Sequence, residues 1–437
     1  MPILGPAFDD FFRQDEWPQN PPNAIPRHNR NMPLGLWQRL SGRVVAPGTA
    51  ASGRITGMAI AFPLPRAAYI HVPFCAHRCG YCNFTLVAGR DELVDAYVRA
   101  IALELAALGG PRELDTLFIG GGTPTHLPAA ALGRLLTLLR ETFVLAEGYE
   151  FSVEANPVDM TPSLASLLAD HGVTRLSLGV QSFNADKLRS LERDHSGAVA
   201  RRACEIALAA FPSVSLDLIF GVPGETREVW QADLAQAVAI RPQHVSTYGL
   251  TFERGTSFWS RLEHGAIARL DEELELAMYA SAIDTLAAAG FEHYEVSNFA
   301  RPGHRCRHNE AYWAGDGYYA AGPGAARYVN GRREMNHRST TTWLKRVLAG
   351  QSPVAESETL APDDRARERL VFGMRRLEGV QRDEFQFRTG CSVDALVAVP
   401  LARFVAAGLL QDDGQRVRLT REGLFVSDSI WPHFLRA

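Results

Sequence analysis

The sequence predicts an α/β protein: a partial, six-stranded β/α barrel with a small, mostly helical, winged-helix-like domain at its C-terminal end. Two observations carry this. Six short β-rich runs alternate with amphipathic helical stretches between Ala67 and Leu250, which implies a parallel sheet with right-handed crossovers. After Leu250 the alternation fades and mostly helical patterns take over. A doubly wound or a closed barrel arrangement would show the same alternation. In barrels, ligands gather at the C-terminal ends of the strands.

The runs are Ala67–Val72, Asp115–Ile119, Tyr149–Glu154, Thr174–Val180, Ser213–Phe220 and His244–Leu250. Between the first two, Asp91–Leu108 places apolar residues at Leu93, Tyr97, Ile101, Leu105 and Leu108, one broad helical face. Ala129–Thr142, Pro162–His171, Ala185–Leu191, Ser196–Ala210 and Thr226–Ala239 read as further helices. Thr161 before Pro162 supplies an N-cap followed by a proline at the first helical position. Asp271–Ala289 is a long helix, and Arg301–Tyr328 reads as a loop rich in glycine and aromatic residues. Asp363–Leu377, Arg382–Arg388, Val393–Val399 and Leu401–Ala407 are helical. Leu409–Leu410 and Arg416–Leu419 form a β-ribbon, and Thr420–Ser429 a last helix. The charge run Asp363–Arg369 reads as a solvated helix face.

The chain has 437 residues, 46 % hydrophobic and 22 % charged. That composition excludes disordered, collagenous and disulfide-scaffold classes. The net charge of −4 argues against general nucleic-acid binding. Met1 to Asn20 carries four acidic residues and no basic stretch leading into an apolar one, and no window matches a membrane span. The expectation is therefore a cytoplasmic protein. Residues 1–66 hold ten of the 25 prolines and read as a loosely ordered extension, in which Leu34–Leu40 could anchor; a translation start at Met58 is the other reading. The expected divisions are 1–66, an extension; 67–300, the core; 301–360, a connecting segment; and 361–437, the C-terminal helical domain.

Three of the six cysteines, Cys75, Cys79 and Cys82, are spaced C-x3-C-x2-C at the end of the first strand. Clustered thiols in a chain this long point to soft-metal chemistry: an iron–sulfur cluster, zinc or copper(I). A structural zinc site would need a fourth ligand, and His71 and His77 are the candidates nearby. Gly80 would relieve crowding as the loop wraps around a cluster. Gly120-Gly121-Gly122-Thr123-Pro124 follows the second strand; it reads as a tight turn or a phosphate loop, and without G-x-G-x-x-G or a following Lys-Ser/Thr the nucleotide-fold reading is weak. Glu154, Gln181, Arg193 and Asp217 lie at or near successive strand ends. Each alone could be a structural hydrogen-bonder; together they favour a ligand pocket.

The cysteine spacing, with Tyr81 before the last thiol, resembles the signature of radical S-adenosylmethionine (SAM) enzymes. That resemblance implies a [4Fe–4S] cluster on three cysteines, SAM on the fourth iron, and reductive cleavage of SAM to a 5′-deoxyadenosyl radical. Gly179–Phe183 and Asp217–Thr226 further resemble the oxygen-independent coproporphyrinogen III oxidase family, from about Tyr69 to the C-terminus. By that resemblance Tyr69, Tyr81, Gly121, Gly122, Thr123, Glu154, Gln181, Arg193 and Asp217 contact SAM.

Two features separate branches of the family. The oxidase proper has a further cysteine where this chain has Phe84. The string His308-Asn309-Glu310-Ala311-Tyr312-Trp313 is similar to the mark of the HemW branch, as are Tyr294–Gly303 and Gly322–Ala325. Members of that branch bind heme and deliver it to acceptor proteins such as respiratory enzymes, which implies heme and such acceptors as partners here and leaves a homodimer open. His308 could ligate heme iron with Tyr312 and Trp313 as walls, or it could hydrogen-bond its loop while Trp313 is core. Cys306 is a second candidate; His304 and His337 are weaker ones. The alternatives are the oxidase itself, a related radical SAM methyltransferase, and a zinc-bound interaction protein.

Overall fold

The structure is a computed structural model that describes residues 62–435. The expected anchor at Leu34–Leu40 and the alternative start at Met58 lie outside the described residues. Six parallel strands lie side by side in chain order: β1 (Ala67–Val72), β2 (Arg112–Gly121), β3 (Phe143–Ala155), β4 (Arg175–Gln181), β5 (Ser213–Phe220) and β6 (His244–Gly249). Their interiors are buried on both faces, as parallel strands under crossover helices must be. The crossovers are α1 (Val94–Ala106), α2 (Ala129–Thr142), α3 (Pro162–Asp170), α4 (Ala185–Ser190) with α5 (Gly197–Ala210), and α6 (Arg227–Ile240). Thr161, Ser196 and Thr226 cap α3, α5 and α6 by accepting a backbone N–H three residues on.

The sheet does not stop at β6. After α7 (Ser257–Glu263) and α8 (Glu272–Ala288), β7 (Glu292–Glu295) and β8 (Asn298–Ala300) add an antiparallel edge beside β6. The expected loop Arg301–Tyr328 is instead a helix and two strands: α9 (Arg307–Trp313), β9 (Tyr318–Ala321), and β10 (Ala326–Val329). β9 pairs parallel with β1. β11 (Arg332–Asn336) and β12 (Val354–Thr359) continue outward, giving the order β12-β11-β10-β9-β1-β2-β3-β4-β5-β6-β8-β7. These elements are only four to seven residues long and are set off by Gly303, Gly315, Gly322, Gly324 and Gly331, all with positive φ. Such short, glycine-punctuated stretches carry too little periodicity to read as strands.

One buried carboxylate ties this extension to α1. Glu104 accepts from Gly322 N (3.1 Å), Asn336 Nδ2 (2.6 Å) and the indole of Trp343 on α10 (Thr340–Leu348; 3.0 Å). At the C-terminus, α11 (Pro362–Met374), α12 (Arg382–Thr389) and α13 (Val393–Ala406) surround a small sheet of β13 (Val380–Gln381), β15 (Arg416–Leu419) and β14 (Leu410–Asp412). The two helices expected at 393–407 are present, with the break at the non-helical Val397 (φ −139°, ψ 25°) rather than after Val399. The charge run on α11 is not simply a solvated face. Glu368 pairs with the buried Arg333 at 2.6 Å, and Arg367 donates to the carbonyls of Leu396 and Phe434. Glu368 therefore ties α11 to the large sheet, while Arg367 ties it to α13 and the chain end.

Candidate functional site

β1 ends at Val72, and the chain turns into the loop that carries the cysteines. Cys75 Sγ lies 3.3 Å from Thr123 Oγ1, and Cys79 Sγ 3.7 Å from the Arg193 guanidinium. Burial pushes the Cys75 thiol up to about 12 and raises Cys79 and Cys82, while Arg193 pulls Cys79 back down. The space left by Gly80 is claimed by protein: a Cβ there would meet the Phe258 ring at 2.5 Å. Gly80 therefore relieves crowding against α7.

The donor set can be tested against the expected group. Among the described residues no three His, Cys, Asp or Glu side chains converge on a single-ion site. Both histidines weighed as a fourth zinc ligand are hydrogen-bonded to other groups, although His77 Nε2 also lies 3.4 Å from Cys79 Sγ. His71 bridges Tyr69 OH (3.1 Å) and the Thr85 carbonyl (2.6 Å), and His77 Nε2 meets the Glu192 carbonyl (2.7 Å). Three thiols facing one cavity, with a guanidinium beside one of them, fit a cluster that takes one thiolate per iron and carries net negative charge.

That cavity, of about 310 Å³, is lined by Cys75, Cys79 and Cys82 and by the expected SAM contacts and heme ligand: Tyr69, Tyr81, Gly121, Gly122, Thr123, Glu154, Gln181, Arg193, Asp217 and His308; the weaker heme candidates His304 and His337 are not part of its lining. Glu154 Oε2 accepts from Gly121 N at 2.8 Å. Burial pushes its carboxyl up to about 7, with Asp217 adding to the effect. Asp217 accepts from Ser177 Oγ at 3.2 Å and is raised by burial to about 6. Gly121 has φ of +110°, and a Cβ there would strike the His71 ring at 2.4 Å. Only glycine can bring this backbone so close to both the cavity and His71. Gln181 sits at φ +62°, a left-handed conformation for a non-glycine residue, and its Oε1 is buried without a partner. Strain of this kind persists where the surroundings over-determine it, and it concentrates at ligand sites. Arg193 donates to Asn156 Oδ1 and the Gly179 carbonyl, both at 3.1 Å.

The far wall of the same cavity is α9. His308 is 1 % exposed. Its Nδ1 meets Thr116 Oγ1 and its Nε2 meets Tyr312 OH, each at 2.9 Å. Burial drives the imidazole down to about 3, so it stays neutral. Trp313 is buried under the Arg375 guanidinium, 4.5 Å from the ring centre. Cys306 is buried with its thiol 3.7 Å from Glu150. Both nitrogens of His308 are thus held by protein side chains.

The structure adds residues that the sequence motifs do not mark. Asn156, Arg175, Ser177, His244, Tyr248 and Glu295 also line the cavity. Tyr248, at the end of β6, follows the strand-end rule that located Glu154. Glu295 carries no such signal, because it enters from the antiparallel edge after the alternation has ended.

An open α/β sheet with three thiols, a glycine turn and strand-end carboxylates on one cavity defines a radical SAM protein. The radical SAM superfamily model matches residues 69–236, and the HemN C-terminal domain model matches 360–426. The chain belongs to the family of the heme chaperone HemW. It is 35 % identical over 372 residues to heme chaperone HemW of Lactococcus lactis, covering 85 % of this chain and 97 % of the relative. To heme chaperone HemW of Bacillus subtilis it is 32 % identical over 378 residues, covering 85 % and 99 %. In fold it is similar to the coproporphyrinogen III oxidase HemN of Escherichia coli, described as a radical SAM enzyme: TM-score 0.76 at 22 % identity, covering 86 % of this chain and 91 % of that one. Among the described residues no helix is long and apolar enough to cross a membrane.

Proposed function

We propose that this protein is a cytoplasmic heme chaperone of radical SAM type, which holds a [4Fe–4S] cluster and SAM, binds heme and passes it to heme-accepting proteins such as respiratory enzymes. The observation that carries the reading is the shared cavity: the Cys75/Cys79/Cys82 loop and the His308–Trp313 helix are two walls of one space, in a chain of the HemW family. Cys75, Cys79 and Cys82 hold the cluster. Tyr69, Tyr81, Gly121, Gly122, Thr123, Glu154, Gln181, Arg193 and Asp217 hold SAM. When bound, the cluster supplies an electron to SAM.

The chain's own residues do the positioning. Arg193, tied to Asn156 and Gly179, places positive charge beside Cys79 and offsets the thiolates. Glu154, fixed by Gly121 N, offers its second oxygen to a cationic ligand group. His308 Nε2 offers a neutral nitrogen to heme iron once the Tyr312 hydroxyl turns away. Phe84, where the oxidase proper has a cysteine, argues for the chaperone over the oxidase. Within β1–β6 the strands follow chain order without reversal, which supports an open six-stranded barrel over a doubly wound sheet. Helices α11–α13 around a three-stranded ribbon support a winged-helix-like C-terminal domain. The divisions 1–66, 67–300, 301–360 and 361–437 follow, with β9–β12 of the third extending the sheet of the second.

One reconstituted sample tests this. Heme titration should give a saturable Soret change. Anaerobic incubation with coproporphyrinogen III, SAM and reductant should leave the porphyrinogen unconverted, and protoporphyrinogen formed at catalytic turnover would refute the chaperone reading.

A further inference from the structure

Thr116 and Glu150 face each other as register partners on neighbouring strands β2 and β3. Pairing between these strands is irregular between Leu114 and Thr116 and resumes at this pair. An irregularity of that kind re-aims side chains next to a site. Both residues are buried, and both reach the same residue on a distant element. Glu150 closes the first turn of α9: its carboxylate accepts from Arg307 N at 3.0 Å and from His308 N at 3.1 Å. Thr116 Oγ1 meets the ring of that same His308 at Nδ1. Backbone and ring are therefore fixed together, across more than 150 positions of sequence.

The two ring contacts differ in chemistry. A phenol is the more acidic hydroxyl, so Tyr312 OH donates to Nε2. Nδ1 then carries the proton and donates it to Thr116 Oγ1, because a neutral imidazole has one donor and one acceptor. The Phe118 ring packs against the imidazole, 5.1 Å away centre to centre.

We infer that Thr116 and Glu150 are positioning residues that hold His308 as its Nδ1–H tautomer, with the Nε2 lone pair presented to the cavity and the Tyr312 hydroxyl as a removable cap on it. The inference deepens the reading of His308 as the heme ligand and rests on it for its consequence. Metal-binding histidines are oriented by what their other nitrogen donates to. Glu150, by pinning the main chain, keeps the ring at the right depth. Tyr312 competes with any ligand for Nε2, so its removal should help binding rather than harm it. A purely structural role for this group of residues would give the opposite sign.

The test uses the full chain with 15N-labelled histidine, read by long-range proton–nitrogen correlation, and heme titration of the same samples. In the wild type, His308 should show a protonated Nδ1 and an unprotonated Nε2. Thr116→Val should lose or mix that tautomer and weaken heme binding about tenfold, the worth of one hydrogen bond to a metal-ligating ring. Thr116→Ser should restore both. Tyr312→Phe should keep the tautomer and tighten heme binding about fivefold by removing one competing hydrogen bond. An Nε2–H tautomer in the wild type, a Thr116→Val tautomer like the wild type, or weaker heme binding by Tyr312→Phe would each overturn the inference. If the tautomers behave as stated while heme binding ignores all three variants, the positioning stands and the assignment of His308 as heme ligand falls.

Discussion

Lys187→Met should be among the most damaging single substitutions outside the cavity. Lys187 Nζ lies 2.5 Å from Glu225 Oε1 and 2.9 Å from Asp233 Oδ2, and the three side chains are 3 %, 1 % and 1 % exposed. Two carboxylates share one ammonium, which also sits 4.9 Å above the Trp230 ring. Asp233 in turn accepts from Phe183 N (2.8 Å) and Ser182 Oγ (2.7 Å), directly after Gln181. Methionine keeps the length and apolar stem of lysine, so cavity terms stay small. What is lost is the charge, and removing one partner of a buried ion pair costs about 3–5 kcal/mol. Urea unfolding should show that loss as a lower midpoint at unchanged slope. The sign of its pH dependence is fixed. Burial already raises the Glu225 carboxyl and Lys187 holds it back; without Lys187 it rises further above its unfolded value. The lost stability should then return as pH falls, by about 1.4 kcal/mol per unit for one proton taken up. A loss under about 1 kcal/mol, or one that deepens on acidification, would refute this account.

Cys79→Ser should abolish the visible absorbance of the reconstituted cluster while the metal-free chain loses no more than about 1 kcal/mol; a retained cluster spectrum would remove Cys79 from the ligand set. Glu154 has its carboxyl raised to about 7 by burial, so SAM affinity measured by calorimetry should rise between pH 6 and pH 8 as the carboxylate forms, and a flat profile would argue against this contact. Glu154→Gln should weaken SAM about tenfold or more, the worth of a charge-assisted hydrogen bond. His308 is held neutral down to about pH 3 while the unfolded chain takes up its proton near 6.5, so the wild type loses this contribution as pH falls below 6.5. Whatever gap separates His308→Asn from wild type at pH 7 should narrow by about 2 kcal/mol at pH 5, and a constant gap would show that the imidazole is protonated in the fold.

The parts of the fold that could be read from the chain are those whose signal is local. Strands Ala67–Val72 and Ser213–Phe220 and helix Ala129–Thr142 match to the residue, because a buried parallel strand is a continuous apolar run and its crossover helix carries a 3.6-residue stripe. β9 to β12 could not be read that way. Each is four to six residues long, with glycines beside β9, β10 and β11, and Tyr318–Ala321 becomes a strand because β1 offers it a parallel edge, which no window of sequence contains. The same limit explains Glu104 and the Lys187 group, whose partners lie up to 239 positions away.

The site divides along the same line. Thiols at fixed spacing and polar residues at strand ends follow from backbone geometry alone, so Cys75, Glu154 and Asp217 could be placed from the amino-acid order by itself. His308 could be named but not interpreted, since its meaning depends on what faces each ring nitrogen. The chain contains Thr116 and Glu150 as two ordinary strand residues, 192 and 158 positions from His308. Only the β2–β3 register sets them side by side beneath α9. That pairing turns a lone histidine, which proves little, into an oriented base at the wall of the cavity that holds the cluster thiols. A slip of either strand by one residue in the β2–β3 register would turn its member of the pair to the opposite face and remove one of the two holds on His308, although no residue of the His308–Trp313 motif had been touched.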